Sequence, residues 1–156
     1  MNDRSPDFLE RQTASLRDLI TEMIHCCEDR NLLQAKRFNL PYTELKCLLL
    51  FKGEKYLTVK GMALKLGVAK SRVTKLIDNL LEKGLASRID DPKDARIRLI
   101  SLSPKGKMLA DQIEEFQEHL YQEILLQLQI QERTEIISHL GVLRSAMEVV
   151  KKKFLT

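Results

Sequence analysis

Apolar residues recur at helical spacing over most of the chain. Leu16, Leu19, Ile20, Met23, Ile24 and Cys27 follow one another at intervals of three and four, which predicts an amphipathic helix over residues 8–36. Pro41 interrupts this pattern, and a second helix is expected through Leu45, Leu48, Leu49 and Phe51, stopped by Gly53. Thr58 is a good N-cap for a short helix with Val59, Met62, Ala63 and Leu66 turned inward, and Gly67 closes it. Another helix is expected from about Ala69, with Val73, Leu76, Ile77, Leu80 and Leu81 on its apolar side. Lys83-Gly84 ends that helix with a cation at the negative end and a glycine stop.

The period then changes. Leu85 to Ile89 and Ile97 to Leu102 are short apolar or β-branched segments on either side of a polar turn, Asp90-Asp91-Pro92-Lys93-Asp94-Ala95-Arg96. This predicts an antiparallel hairpin with a charged tip. Ser103 caps a new helix with Pro104 in its first position, where the missing N–H costs nothing. Ile113, Phe116, Leu120, Ile124 and Leu128 form that helix's stripe. A break near Gln129 to Gln131 leads to a last helix through Ile136, Ile137, Leu140, Leu143, Met147 and Val150, with Lys151-Lys152-Lys153 at its end.

Composition agrees with a mainly α chain. Among 156 residues there are six Gly, four Pro and no Trp, so helix breakers and β-favouring aromatics are both scarce. The length suits one domain, or one small domain with extensions. The longest apolar run, Cys47 to Phe51, is too short to span a bilayer, and Met1 to Asp7 has no apolar signal core. A cytoplasmic protein with no membrane association is expected. Three cysteines, two of them adjacent, do not form a secreted disulfide framework. No nucleophile–base pair, phosphate loop or metal motif points to an enzyme or to a cofactor.

Charge changes the picture. Thr58 to Lys107 holds twelve Lys/Arg against five Asp/Glu, a net +7, whereas the rest of the chain is net −3. A basic module between mildly acidic flanks is the electrostatic footprint expected for a polyanion. Two short helices joined through Gly67 and followed by a hairpin make a winged helix-turn-helix, assigned to residues 41–107. The second helix is the candidate reader. Turning about 100° per residue, Ser71, Lys75 and Asp78 lie opposite its apolar side, with Arg72 and Thr74 on the flanks. Lys70, Ser71, Arg72, Thr74 and Lys75 gather in its first turns, where a recognition helix meets bases and phosphates. Arg72 is the first candidate for bidentate reading of a guanine. In the hairpin tip, Arg96 suits a narrow minor groove, Asp94 can orient its guanidinium, and Lys93 and Arg98 can add phosphate contacts.

The segments Leu57 to Leu85, Asp91 to Arg96 and Leu99 to Gly106 resemble the MarR family of bacterial transcriptional regulators. The wing motif Asp-x-Arg, here Asp94 and Arg96, is the most specific part. The resemblance implies a dimer with one winged helix per subunit, control of transcription through operator DNA, and, in many relatives, response to a phenolic ligand, a metal or an oxidant. Ala95 departs from the second Arg often found between the wing residues. Peroxide-sensing relatives carry a reactive Cys near the position of Arg17, so that trait is not implied here, although Tyr42 resembles a Tyr they use.

A dimer is also expected on separate grounds. The terminal stripes lie outside the basic module, and a winged helix of ~65 residues cannot cover three more amphipathic helices. Residues 8–36 and 108–154 are therefore assigned to a helical dimerisation region. Two recognition helices would then stand ~34–36 Å apart and require a pseudo-palindromic site. Cys27 lies on the apolar stripe and is expected in a core, Cys26 at its edge, and Cys47 in a buried helix. Glu22, His25, Cys26 and Asp29 have helical spacing, yet no paired metal motif supports them, so a solvated face is the better reading. A small-molecule effector is compatible with the architecture, but the sequence shows no ligand signature. The leading function is a dimeric, sequence-specific DNA-binding regulator, in the first instance a repressor. The competing reading is a winged helix used for protein–protein contact.

Overall fold

The computed structural model of the chain describes residues 6–90, 94 and 98–155. The elements run α1 (Pro6–Phe38), α2 (Tyr42–Leu49), β1 (Leu57–Thr58), α3 (Val59–Leu66), α4 (Lys70–Glu82), β2 (Ala86–Asp90), β3 (Arg98–Leu102), α5 (Pro104–Leu126) and α6 (Ile130–Leu155). The mainly helical class and the winged helix-turn-helix with its hairpin are thus observed. By contacts the chain divides into two compact units, separated after Ile113.

The first unit holds the winged helix. Its core is built from Leu45 and Leu48 of α2, Met62 of α3, Val73, Ile77 and Leu80 of α4, Ile100 of β3 and Ile113 of α5. These residues expose 1% of their surface or less. Ala63, 8% exposed, is the small residue where α3 and α4 pack. The turn between those helices is set by Gly67, whose φ of 65° is left-handed. Its neighbour Val68 donates back to the Ala63 carbonyl at 3.2 Å. Thr58 caps α3 as expected, its hydroxyl accepting from the Gly61 N–H at 3.0 Å.

The sheet has three strands in the order β1-β3-β2, all antiparallel. The hairpin register pairs Ala86 with Leu102, Arg88 with Ile100 and Asp90 with Arg98. β1, which the hydrophobic pattern does not announce, adds Leu57 opposite Ile100 and Thr58 opposite Leu99. Two residues are too few to show alternation, so this strand exists only through its pairing with β3. Ser103 caps α5 by accepting from the Gly106 N–H at 3.0 Å, and its hydroxyl donates to the Gly84 carbonyl at 2.7 Å.

α1 ends at Asn39, a non-glycine residue with φ 50°, and Leu40 donates to the Ala35 carbonyl at 3.1 Å. The last turns of α1 belong to the winged-helix core: Gln34 is buried and Phe38 packs against the cluster. The earlier turns do not. Leu16, Leu19, Met23 and Ile24 are exposed, and so is Cys27, contrary to its expected place in a core, because apolar spacing marks a face without supplying what packs on it. Cys47 is buried as expected.

The second unit comprises the rest of α5 and α6. Among its described side chains none is buried, and Ile124, Ile137, Leu140, Met147 and Val150 are among those left exposed. α5 stops at Leu126, so Leu128 lies beyond the helix it was expected to join, and the break falls at residues 127–129. The reason is a cap: the Glu132 carboxylate reaches back to the Gln129 N–H at 2.8 Å and starts α6 immediately after it.

Candidate functional site

α4 presents three different sides. Val73, Ile77 and Leu80 are buried in the core. Lys70, Ser71, Arg72, Thr74 and Lys75 are all exposed in its first half, which brings together the five helix residues singled out in the sequence. The Thr74 hydroxyl donates to the Lys70 carbonyl at 3.0 Å, so that side chain lies back along its own helix. Lys70, Arg72 and Lys75 form no ion pair with any described residue.

The later half of α4 is anchored on both flanks. On one, Asp78 is ion-paired with Arg88 of β2, which joins the helix to the wing. On the other, Asn79 donates to the Glu44 carboxylate at 2.9 Å, and Lys83 pairs with the same group. Glu44 is 2% exposed and therefore a buried charge held by Asn79 of α4 and by Lys83 at that helix's C-cap. It lies on the same face of α2 as Leu48 and Cys47, at intervals of four and three. A carboxylate on an apolar stripe is a sequence signal for such a pair, although its partners are not legible. Glu44 also acts on Cys47. Burial, and then the nearby Glu44 charge, push the Cys47 thiol from 9.0 up to about 12. It is a packed, protonated side chain, without the thiolate character of a reactive cysteine.

The wing is described in part. Arg98 is exposed at the start of β3, opposite Asp90, and Asp94 is exposed. Lys93 and Arg96 lie outside the described residues, and the expected Asp94–Arg96 pairing lies there with them. On α1, His25 Nδ1 faces Glu28 at 3.4 Å, and both side chains are exposed. Among the described residues no helix is long and apolar enough to cross a membrane.

A shallow cleft of about 190 Å³ borders the exposed half of α4 on the α2 side. Leu66, Val68 and Leu76 form its apolar part, while Thr43, Lys46 and Arg72 supply polar groups. Thr43 and Lys46 went unnoticed in the sequence because α2 read only as a core helix.

Residues 38–97 match the MarR family, which places the match on the winged helix. No curated protein sequence matches the chain. Among solved structures, a MarR family protein from Bacillus stearothermophilus is similar with a TM-score of 0.77 and 22% identity, over 89% of this chain and 97% of that one. The YusO protein from Bacillus subtilis is similar with a TM-score of 0.73 and 20% identity, over 92% and 99%. The MepR–DNA complex from S. aureus is similar with a TM-score of 0.65 and 21% identity, over 83% and 95%. At such identities the likeness carries the fold. The sequence likeness to the MarR family thus lies on the winged helix, and the likeness of fold extends over most of the chain.

Proposed function

We propose that this chain is a dimeric, sequence-specific DNA-binding transcriptional regulator, acting as a repressor at a pseudo-palindromic operator. One observation carries the reading: the first half of α4 exposes Lys70, Arg72 and Lys75, none of them neutralised by a described acidic side chain. A surface built for protein contact would be apolar or acidic there. A cationic helix end beside a wing fits the major groove of a duplex, with the wing over the adjacent backbone or minor groove. The MepR structure of the same fold is a complex with DNA.

In this reading residues 41–107 form the DNA-binding domain, and residues 8–36 and 108–154 form the dimerisation region. Support for the dimer is the exposure of Leu16, Leu19, Met23 and Ile24 on α1 and of Ile137, Leu140 and Met147 on α6. Apolar stripes of this length on soluble helices are covered by a partner, and a second copy of the chain supplies the same stripes by two-fold symmetry. Ser71 and Lys75 at the centre of the exposed face meet the groove floor, Lys70 and Thr74 flank them, and Asp94, Arg96, Lys93 and Arg98 act from the wing. A small-molecule effector remains part of the reading only through the family.

The test is duplex binding by fluorescence anisotropy as salt is raised, combined with selection from random duplexes. With six to ten phosphate contacts, affinity falls about 10³–10⁵-fold between about 50 and 200 mM salt. Lys75→Gln lowers the salt slope or alters the selected motif. A protein showing no salt-dependent duplex binding, or a monomer at micromolar concentration in sedimentation, overturns the reading.

A further inference from the structure

The α2 flank of the recognition helix has its own chemistry. Arg72, Leu76, Asn79 and Lys83 fall at intervals of four, three and four, so they form one stripe along α4. The lower half of this stripe is occupied, since Asn79 and Lys83 both bind Glu44 of α2. The upper half is open. There Arg72 and Leu76 border the cleft of about 190 Å³ together with Thr43 and Lys46 of α2. Lys46 and Arg72 form no ion pair with a described residue, and Thr43 makes no hydrogen bond through its side chain with one. Glu44, the nearest acid in sequence, is buried and already bound to Lys83, so it does not neutralise the cleft.

We propose that this cleft holds one backbone phosphate of the bound duplex between Lys46 and Arg72, with the Thr43 hydroxyl as a further donor. The inference rests on the DNA-binding reading above and adds α2 to the interface. Two positive side chains on neighbouring helices, with no anion of the fold between them, are complementary to a phosphodiester. The apolar patch of Leu66, Val68 and Leu76 suits the sugar edge beside that phosphate. Size points the same way. Pockets for drug-sized ligands begin near ~300 Å³, and this one is smaller and lined by Arg72 from the exposed half of α4. The position also revises the expectation for Arg72. A side chain on the flank shared with α2 positions the protein on the backbone, and base reading passes to Ser71 and Lys75 on the central face.

The experiment uses the full chain and a fluorescein-labelled mixed-sequence duplex of ~40 base pairs, titrated between about 50 and 200 mM salt. Lys46→Gln and Arg72→Gln are each expected to weaken binding to unrelated duplexes by the same factor, roughly 3- to 10-fold. Each lowers the salt slope by about 0.9 or less per chain. Because both side chains share one phosphate, the double variant loses less than the product of the single losses. Selection from random duplexes returns the same motif for Arg72→Gln as for the parent. Wild-type affinity and slope in Lys46→Gln, while Lys75→Gln is impaired, overturns the phosphate site and leaves the DNA reading standing. A relaxed motif in Arg72→Gln likewise overturns it, by returning Arg72 to base reading. Absence of duplex binding by the parent removes both.

Discussion

Lys83→Met isolates the buried charge that fixes the recognition helix. In the native chain Glu44, 2% exposed, is held by the Lys83 ammonium and by the Asn79 amide at 2.9 Å. Methionine keeps the unbranched apolar stem of Lys83, one atom shorter, but removes the cation, leaving a buried carboxylate with a single neutral donor. Breaking a buried ion pair from one side costs about 3–5 kcal/mol. The Lys83 side chain is 40% exposed, so water reaches that end of the site and lowers the cost to about 2–3 kcal/mol. With a urea m-value of about 2 kcal/mol/M, the midpoint should fall by about 1–1.5 M, measured at fixed protein concentration because assembly shifts apparent stability. The double variant Glu44→Leu with Lys83→Met removes both charges, and it should recover much of the loss, since an apolar replacement of a whole buried pair is often neutral. A midpoint for Lys83→Met within 0.2 M or so of the parent would refute the argument. So would a double variant less stable than the single one by a further 2 kcal/mol or thereabouts.

Two further outcomes follow from the same core. Cys47 has its thiol raised from 9.0 to about 12, so folding favours the protonated form. Its stabilising contribution is complete below pH 9 and is lost as pH climbs toward 12, at about 1.4 kcal/mol per pH unit. Urea midpoints should therefore fall more steeply with alkaline pH in the parent than in Cys47→Ala, and native thiol titration near pH 8 should leave Cys47 unreacted until the chain unfolds. Gly106→Ala should destabilise, although alanine is the better helix former by about 1 kcal/mol, because a Cβ at Gly106 overlaps the Leu85 carbonyl oxygen. The net cost expected in urea titration is about 1–3 kcal/mol or more, and a stabilised variant would show that the approach of α5 to Leu85 relaxes freely.

Much of this architecture was legible because local signals and burial agree. Thr58, Gly67, Lys83-Gly84 and Ser103-Pro104 mark helix ends by capping chemistry that needs no distant partner. Val73, Ile77 and Leu80 show their inward side through spacing alone. The strands of the wing could be placed to within a residue or so, since strands 86–90 and 98–102 stand on either side of a polar stretch of sequence. The illegible parts depend on tertiary partners. β1 is two residues that become a strand through β3, and Glu44 is a surface-type residue kept inside by Asn79 and Lys83, 35 and 39 positions away. Cys27 shows the reverse case. Its spacing assigns it to an apolar face, but the side chain itself is exposed.

The same partners change what the charge count means. A net +7 between Thr58 and Lys107 treats every cation as available to a polyanion. In the fold, Lys83 serves Glu44, Arg88 serves Asp78 and Lys65 reaches Glu54 at 3.3 Å, so among the described residues three of these cations are bound to acids of the protein itself. Pairing Asp78 matters as much as spending Arg88, because an unpaired carboxylate on the exposed side of α4 would repel a phosphate backbone. On α4 itself Lys70, Arg72 and Lys75 are left, and they lie within two turns at one end of a helix whose other end is tied on both flanks. An excess spread evenly over the surface would attract nucleic acid without orienting it. Here the ion pairs subtract charge from the anchored end and leave it at the free end, which is the arrangement the proposed DNA-binding role of this helix tip requires.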